Sequence, residues 1–112
     1  MKAMIVRFDF AEGPERLEEW RRYVAEESVP RFERHAGLRH KLFLWREDPP
    51  GAVAVYLFAD DAAFEAYARP LLEDPSGFTT TRRFGAPGAI EVLDVAGIAD
   101  GPAFAQGGDA PR

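Results

Sequence analysis

His40, Tyr56, Tyr67 and Asp94 are the side chains of this sequence whose types and settings point to chemistry. His40 stands among Leu38, Leu42 and Leu44, and an imidazole on such a surface takes a proton from a phenolic molecule near neutral pH. Its bland alternative is a half-solvated histidine on an edge strand. Tyr56 and Tyr67 fall on two elements expected to face each other, so two phenols there would hold a carbonyl or an oxyanion. As plain core tyrosines they would only hydrogen-bond their tips. Asp94 is expected on the helix-facing side of a strand, where a carboxylate must be paired or neutralised. A structural ion pair with Arg69, Arg82 or Arg83 is the alternative to a catalytic role. Phe8, Trp20, Tyr23, Phe58 and Phe64 are the expected substrate-binding walls, suited to a flat aromatic or polyketide-like molecule.

Composition removes other chemistries. The chain has no cysteine, which excludes thiolate catalysis, disulfides and zinc-thiolate sites and fits a reducing cytoplasm. Its two histidines, His35 and His40, have no carboxylate at ligand spacing, so no metal site is expected, and no cofactor is expected either. His35 ends the first helical stretch, where the negative end of the helix dipole favours its charged form. Arg16, Arg21, Arg22, Arg31 and Arg34 are interleaved with Glu15, Glu18, Glu19, Glu26, Glu27 and Glu33, and the net charge is -5. That is a solvated helix face and not a nucleic-acid stripe. No apolar run approaches the roughly 18 residues of a membrane span.

The elements that must position these residues follow from periodicity. With 112 residues and 46% hydrophobic content, one domain over residues 1–98 is expected, followed by a flexible glycine- and proline-rich tail over 99–112. Met4, Val6, Phe8 and Phe10 alternate as a first strand over 3–10. A long helix then carries Leu17, Trp20, Val24, Ser28, Phe32 and His35 inward with Tyr23 on its flank, kinks near Ser28-Val29 because of Pro30, and is capped by Gly37. A second strand over 38–47 places His40, Leu42 and Leu44 on one face and Lys41, Phe43 and Trp45 on the other. The third strand, Val53-Ala54-Val55-Tyr56-Leu57-Phe58, hands directly to a helix over 61–73. Residues 78–88 read as a polar loop over a pocket mouth, and residues 89–96 as the last strand.

The order βαββαβ is ferredoxin-like, an α+β class in which both helices cover one face of a four-stranded antiparallel sheet. The other face is left bare, with Ile5, Phe43, Trp45, Val53, Val55, Leu57, Leu93 and Val95 expected there. A second copy of the chain is the expected cover.

Arg7-Phe8-Asp9-Phe10 with Gly13-Pro14, Gly37-Leu38, Val55-Tyr56-Leu57-Phe58-Ala59-Asp60 into Phe64-Glu65-Ala66-Tyr67, and Val92-Leu93-Asp94-Val95 together resemble the dimeric α/β-barrel superfamily. The likeness is to its antibiotic-biosynthesis monooxygenases and, within them, to a small branch of monooxygenase-like proteins. The resemblance implies a homodimer whose sheets close into a barrel, with a ligand cavity between each sheet and its helices. It implies a cofactor-independent monooxygenase on an aromatic or polyketide-like molecule, with His40 as base and Tyr56 and Tyr67 as donors. A polyketide cyclase or isomerase, or a non-catalytic stress-type binding dimer, is the alternative on the same scaffold. The histidine that pairs with the last-strand aspartate in olivetolic acid cyclase has no counterpart between Arg69 and Gly88. The second helix likewise lacks the histidine expected for haem degradation, and the chain has no asparagine.

Overall fold

Alternation of apolar and polar side chains builds β1 over Lys2–Asp9, and the covered β3 over Gly51–Phe58 carries Ala52, Ala54, Tyr56 and Phe58 on its buried face. A computed structural model of the chain describes residues 1–102. In it the two strands pair antiparallel at the centre of a four-stranded sheet of order β2-β3-β1-β4, with β2 over Leu38–Arg46 and β4 over Gly88–Asp94 at the edges. Helices α1 (Arg16–Tyr23), α2 (Val29–Glu33), α3 (Asp61–Glu73) and α4 (Thr79–Phe84) complete the chain. The ferredoxin-like order expected from the sequence is therefore the observed one.

The core lies between sheet and helices. Met4, Val6, Phe8, Tyr56 and Phe58 meet Leu17, Trp20, Tyr23, Phe64 and Ala68 there. Asp60 caps α3 by accepting a hydrogen bond from the Ala63 amide at 2.8 Å, so the joint from β3 is as short as its sequence implied. Gly37 does not cap α2 with left-handed backbone; among the described residues only Gly85 has positive φ, at 70°, where it closes α4. Gly37 is needed for a different reason. A Cβ there would lie 2.8 Å from the Cβ of Ala63, so α3 packs directly on the backbone entering β2.

Three local features depart from the sequence expectation. Between Leu38 and His40 the register of β2 shifts: Leu38 opposes Phe58 and His40 opposes Leu57, so Arg39 is an extra residue. Every residue after it changes face. Lys41, Phe43 and Trp45 stand opposite Tyr56, Ala54 and Ala52 on the helix side, while His40, Leu42 and Leu44 turn to the bare side. The bare face is thus Ile5, Leu42, Leu44, Val53, Val55, Leu57 and Leu93, without Phe43 or Trp45. Next, the expected kink is a π-helical turn over Val24–Ser28, in which the Val29 amide reaches the Val24 carbonyl, and it brings Tyr23 as well as Ser28 into the interior. Finally, residues 78–88 are not a plain loop. A 3-10 turn over Pro75–Gly77 leads into α4, whose Phe78, Thr80 and Phe84 are buried.

Beyond β4 the chain turns back over the sheet. Asp100 lies 3.5 Å from Arg39, and Ile98 shares a shallow hollow with His40 and Leu57, so residues 95–101 cross from the β4 edge to the β2 edge on the bare side. The rest of the expected tail, 103–112, lies outside the described residues.

Candidate active site

A partly open cavity of about 80 Å³ sits between the centre of the sheet and the helices. Phe8 of β1, Lys41 and Phe43 of β2, and Ala54 and Tyr56 of β3 form its floor. Trp20 and Tyr23 of α1, Ser28 of the π turn, Arg31 and Phe32 of α2, Tyr67 and Leu71 of α3, and residues 77–80 form its walls. The π turn matters here, because the extra residue per turn lets Tyr23 and Ser28 both point inward. The Trp20 Nε1–H donates to Thr80 Oγ1 at 3.2 Å, tying α1 to the start of α4 across the cavity. Arg31 Nη2 donates to the Tyr23 hydroxyl at 3.1 Å.

Tyr56 and Tyr67 meet as the sequence suggested, their hydroxyls 3.2 Å apart. Burial pushes the Tyr56 phenol well above its ordinary value, with the neighbouring Tyr67 hydroxyl adding to the effect, and burial likewise raises Tyr67. Both are therefore protonated donors at neutral pH. Phe58 stacks on Tyr56 at 5.8 Å and its ring meets Phe64 edge-on at 5.5 Å. Phe58 and Phe64 thus hold the tyrosine pair from behind and do not line the cavity, whereas Phe8, Trp20 and Tyr23 do.

Lys41 is the group that the alternation of β2 concealed. Its Nζ lies 3.3 Å from the centroid of Phe32, 4.1 Å from that of Tyr56 and 4.4 Å from that of Phe43. Three ring faces favour an ammonium by about 0.5–2 kcal/mol each. Taking the ammonium out of water costs several kcal/mol, and the Arg31 guanidinium opposes it further. Desolvation wins, and the Lys41 pKa falls to about 6. At neutral pH the cavity contains a free amine.

His40 is exposed on the bare face, opposite Leu57, so it does not join the tyrosine pair; the extra residue at Arg39 is the reason. Asp94 opposes Lys2 at the end of β4 and pairs with its ammonium at 2.5 Å, at the rim of the sheet and exposed. That hydrogen bond lowers the Asp94 carboxyl and raises Lys2. The ion-pair alternative is realised with Lys2 in place of Arg69, Arg82 or Arg83; Arg69 pairs with Glu65 and Arg83 with Glu27. His35 is half-buried, stacked on Phe32 at 6.1 Å and edge-on to Tyr67 at 5.5 Å. Among the described residues no three histidine, aspartate or glutamate side chains come together as a metal site, and no helix is long and apolar enough to cross a membrane.

Sequence reasoning missed Lys41, Arg31 and Thr80. A signal existed for the first, since the chain has only two lysines and Lys41 stands between apolar residues in a strand.

No family model matches the chain, and no curated protein matches it. Solved structures do. A protein assigned as an antibiotic biosynthesis monooxygenase from Deinococcus radiodurans superposes with a TM-score of 0.65 at 10% identity, over 89% of this chain and 97% of that one. The ActVA-Orf6 monooxygenase of Streptomyces coelicolor, solved with nanaomycin D, gives 0.60 at 12% identity over 89% and 91%. The cofactor-independent oxygenase SnoaB of Streptomyces nogalater gives 0.56 at 18% identity over 87% and 94%. Two other matches, from uncultured marine organisms, are dimeric ferredoxin-like proteins. At such identities the likeness is one of fold, and the chain has the ferredoxin-like fold that these structures share.

Proposed function

We propose that this chain is a cofactor-independent oxygenase of a small aromatic or enolisable molecule, acting as a homodimer. The observation that carries the reading is the pair of protonated phenols, Tyr56 and Tyr67, 3.2 Å apart in an aromatic-walled cavity beside an uncharged amine. The fold, shared with proteins described as monooxygenases, supports it. Lys41 takes over the role of base expected of His40, because an amine with a pKa of about 6 accepts a proton near neutrality. The proton of a phenol or enol passes to Lys41 Nζ, and the two tyrosine hydroxyls hold the resulting oxyanion. The electron-rich anion then reduces oxygen. A C–O bond forms to give a hydroperoxide, and loss of water leaves a carbonyl. A homodimer covers the bare face, since Leu42 and Leu44 are 45% and 46% exposed in a single copy and lie beside Val53 and Val55.

The volume limits the substrate. About 80 Å³ approaches the size of one small ring, and a polycyclic molecule enters only if Phe32 or Phe43 moves aside toward the hollow of about 310 Å³ behind them. Oxygen consumption over a panel of hydroquinones and anthrones tests the reading. With an accepted substrate, Tyr56→Phe is expected to lower kcat/KM by about 10²-fold, and uptake unchanged in both Tyr56→Phe and Lys41→Met would refute the assignment. Turnover in a sealed, oxygen-free cell would indicate a cyclase or isomerase, and saturable binding without turnover a non-catalytic dimer.

A further inference from the structure

Lys41 and Arg31 are two cations on one cavity, and neither takes part in an ion pair among the described residues. Both lie against the same ring. Lys41 Nζ lies 3.3 Å and Arg31 Cζ 5.0 Å from the Phe32 centroid, which bounds their separation at about 8 Å. The groups facing Lys41 from the elements around it are Arg31 of α2, Tyr23 of α1, Tyr56 of β3 and Tyr67 of α3, all donors and none a carboxylate. Glu33 borders the hollow behind Phe32 and Lys41, and Glu27 is engaged by Arg83 at 3.0 Å. The cavity is thus short of negative charge and holds one nucleophilic nitrogen.

We propose that this cavity binds a small 2-oxo acid of the pyruvate type as an imine on Lys41, with the acid's carboxylate facing Arg31. The size agrees: about 80 Å³ is the share of two or three waters at roughly 30 Å³ each, or one molecule of a few heavy atoms. A C–N bond at one end and a charge-assisted hydrogen bond of 2.7–2.9 Å at the other fit the bounded distance between the two cations. The step balances without an oxidant. The Nζ lone pair forms a bond to the keto carbon while its proton passes to the oxygen, and the carbinolamine then loses water as the C–O bond breaks, leaving C=N. The free amine that desolvation provides is the form that attacks. Tyr56, whose ring centroid is 4.1 Å from Nζ, and Tyr67 bring hydroxyls to the same cavity as donors for the departing oxygen.

The chain makes the test clean, because its lysines are only Lys2 and Lys41. Lys2 is held charged by Asp94, and the terminal amine lies 3.5 Å from Asp61. The full chain is incubated with sodium pyruvate and cyanoborohydride near pH 7.5 without oxygen, and its peptides are mapped by mass spectrometry. The reductively trapped carboxyethyl group is expected on Lys41 in at least about tenfold excess over Lys2 and the terminus. No such excess overturns the proposal. Acetone, a neutral carbonyl of similar size, separates imine formation from recognition of the carboxylate. Arg31→Met is expected to cut pyruvate labelling about fivefold or more and leave acetone labelling within about twofold; an excess at Lys41 that is equal for both probes in the unaltered chain overturns the oxo-acid assignment. Lys41→Arg, checked for folding by its thermal transition, is expected to abolish the label. The imine forms with or without oxygen, so a failed trapping experiment and a failed oxygen-uptake experiment are separate results.

Discussion

The two faces of the sheet are built from the same strands and behave as opposites. On the covered side, Phe58, Tyr56 and Met4 are almost wholly removed from solvent, and even a lysine has been taken out of water. On the bare side, residues one position away along the same strands, Leu57, Val55 and Ile5, are half-exposed, and the charges there, such as Arg7 with Glu91 at 3.1 Å, remain solvated. Tight packing is therefore concentrated on one surface, and the other is apolar and only half-covered within a single copy. A substitution that shrinks a side chain is expected to be felt on the first and nearly silent for the single chain on the second.

Phe58→Ala should give the largest effect, a loss of about 3–5 kcal/mol in denaturant unfolding, because a fully buried ring with aromatic neighbours is removed. A loss below about 1 kcal/mol would break the contrast. Lys41→Met should move the other way and stabilise by about 1–4 kcal/mol at pH 7, as replacing buried polar groups with apolar ones often does. The sign follows from the pKa of about 6 in the fold against 10.5 for ordinary lysine. Between those values the unfolded chain binds the extra proton, so stability climbs as pH rises from about 6 toward 10, and the variant should lose that slope in melts recorded across this range. Gly37→Ala is expected to cost about 1–3 kcal/mol, since its new methyl meets Ala63 at 2.8 Å and α3 must shift. The smallest effect on the folded chain should be that of Leu42→Glu, within about 0.5 kcal/mol. For the homodimer proposed above, sedimentation of Leu42→Glu should nevertheless show a single copy; an assembly the same as that of the unaltered chain would mean that the bare face is not the contact.

Elements whose sequence signals agree were legible. The aspartate pair and alanine-rich start of α3 gave its bounds, and Tyr56 and Tyr67 were placed together because the stripe of α3 and the short joint from β3 bring the two elements face to face. β2 was not legible, because both of its alternating sets contain large apolar residues and either can face a core. Only the pairing with β3 reveals that Arg39 is supernumerary, and that pairing is not local information. α4 was hidden by Thr79, Thr80 and Thr81, which favour strands, although Arg82 and Arg83 followed by Gly85 are the charge and glycine pattern of a helix end. The π turn announced a disturbance through Pro30 but not its form.

The extra residue at Arg39 carries an evolutionary consequence. Drawn into the regular ladder, Arg39 would oppose Leu57 and His40 would oppose Tyr56, so the imidazole would replace the amine of Lys41 on the chamber side. Deleting Arg39 would instead straighten the strand and leave His40 opposite Leu57 and Lys41 opposite Tyr56. A lineage could therefore lose that codon and keep its chamber, and comparison of aligned positions would record the loss only as a gap.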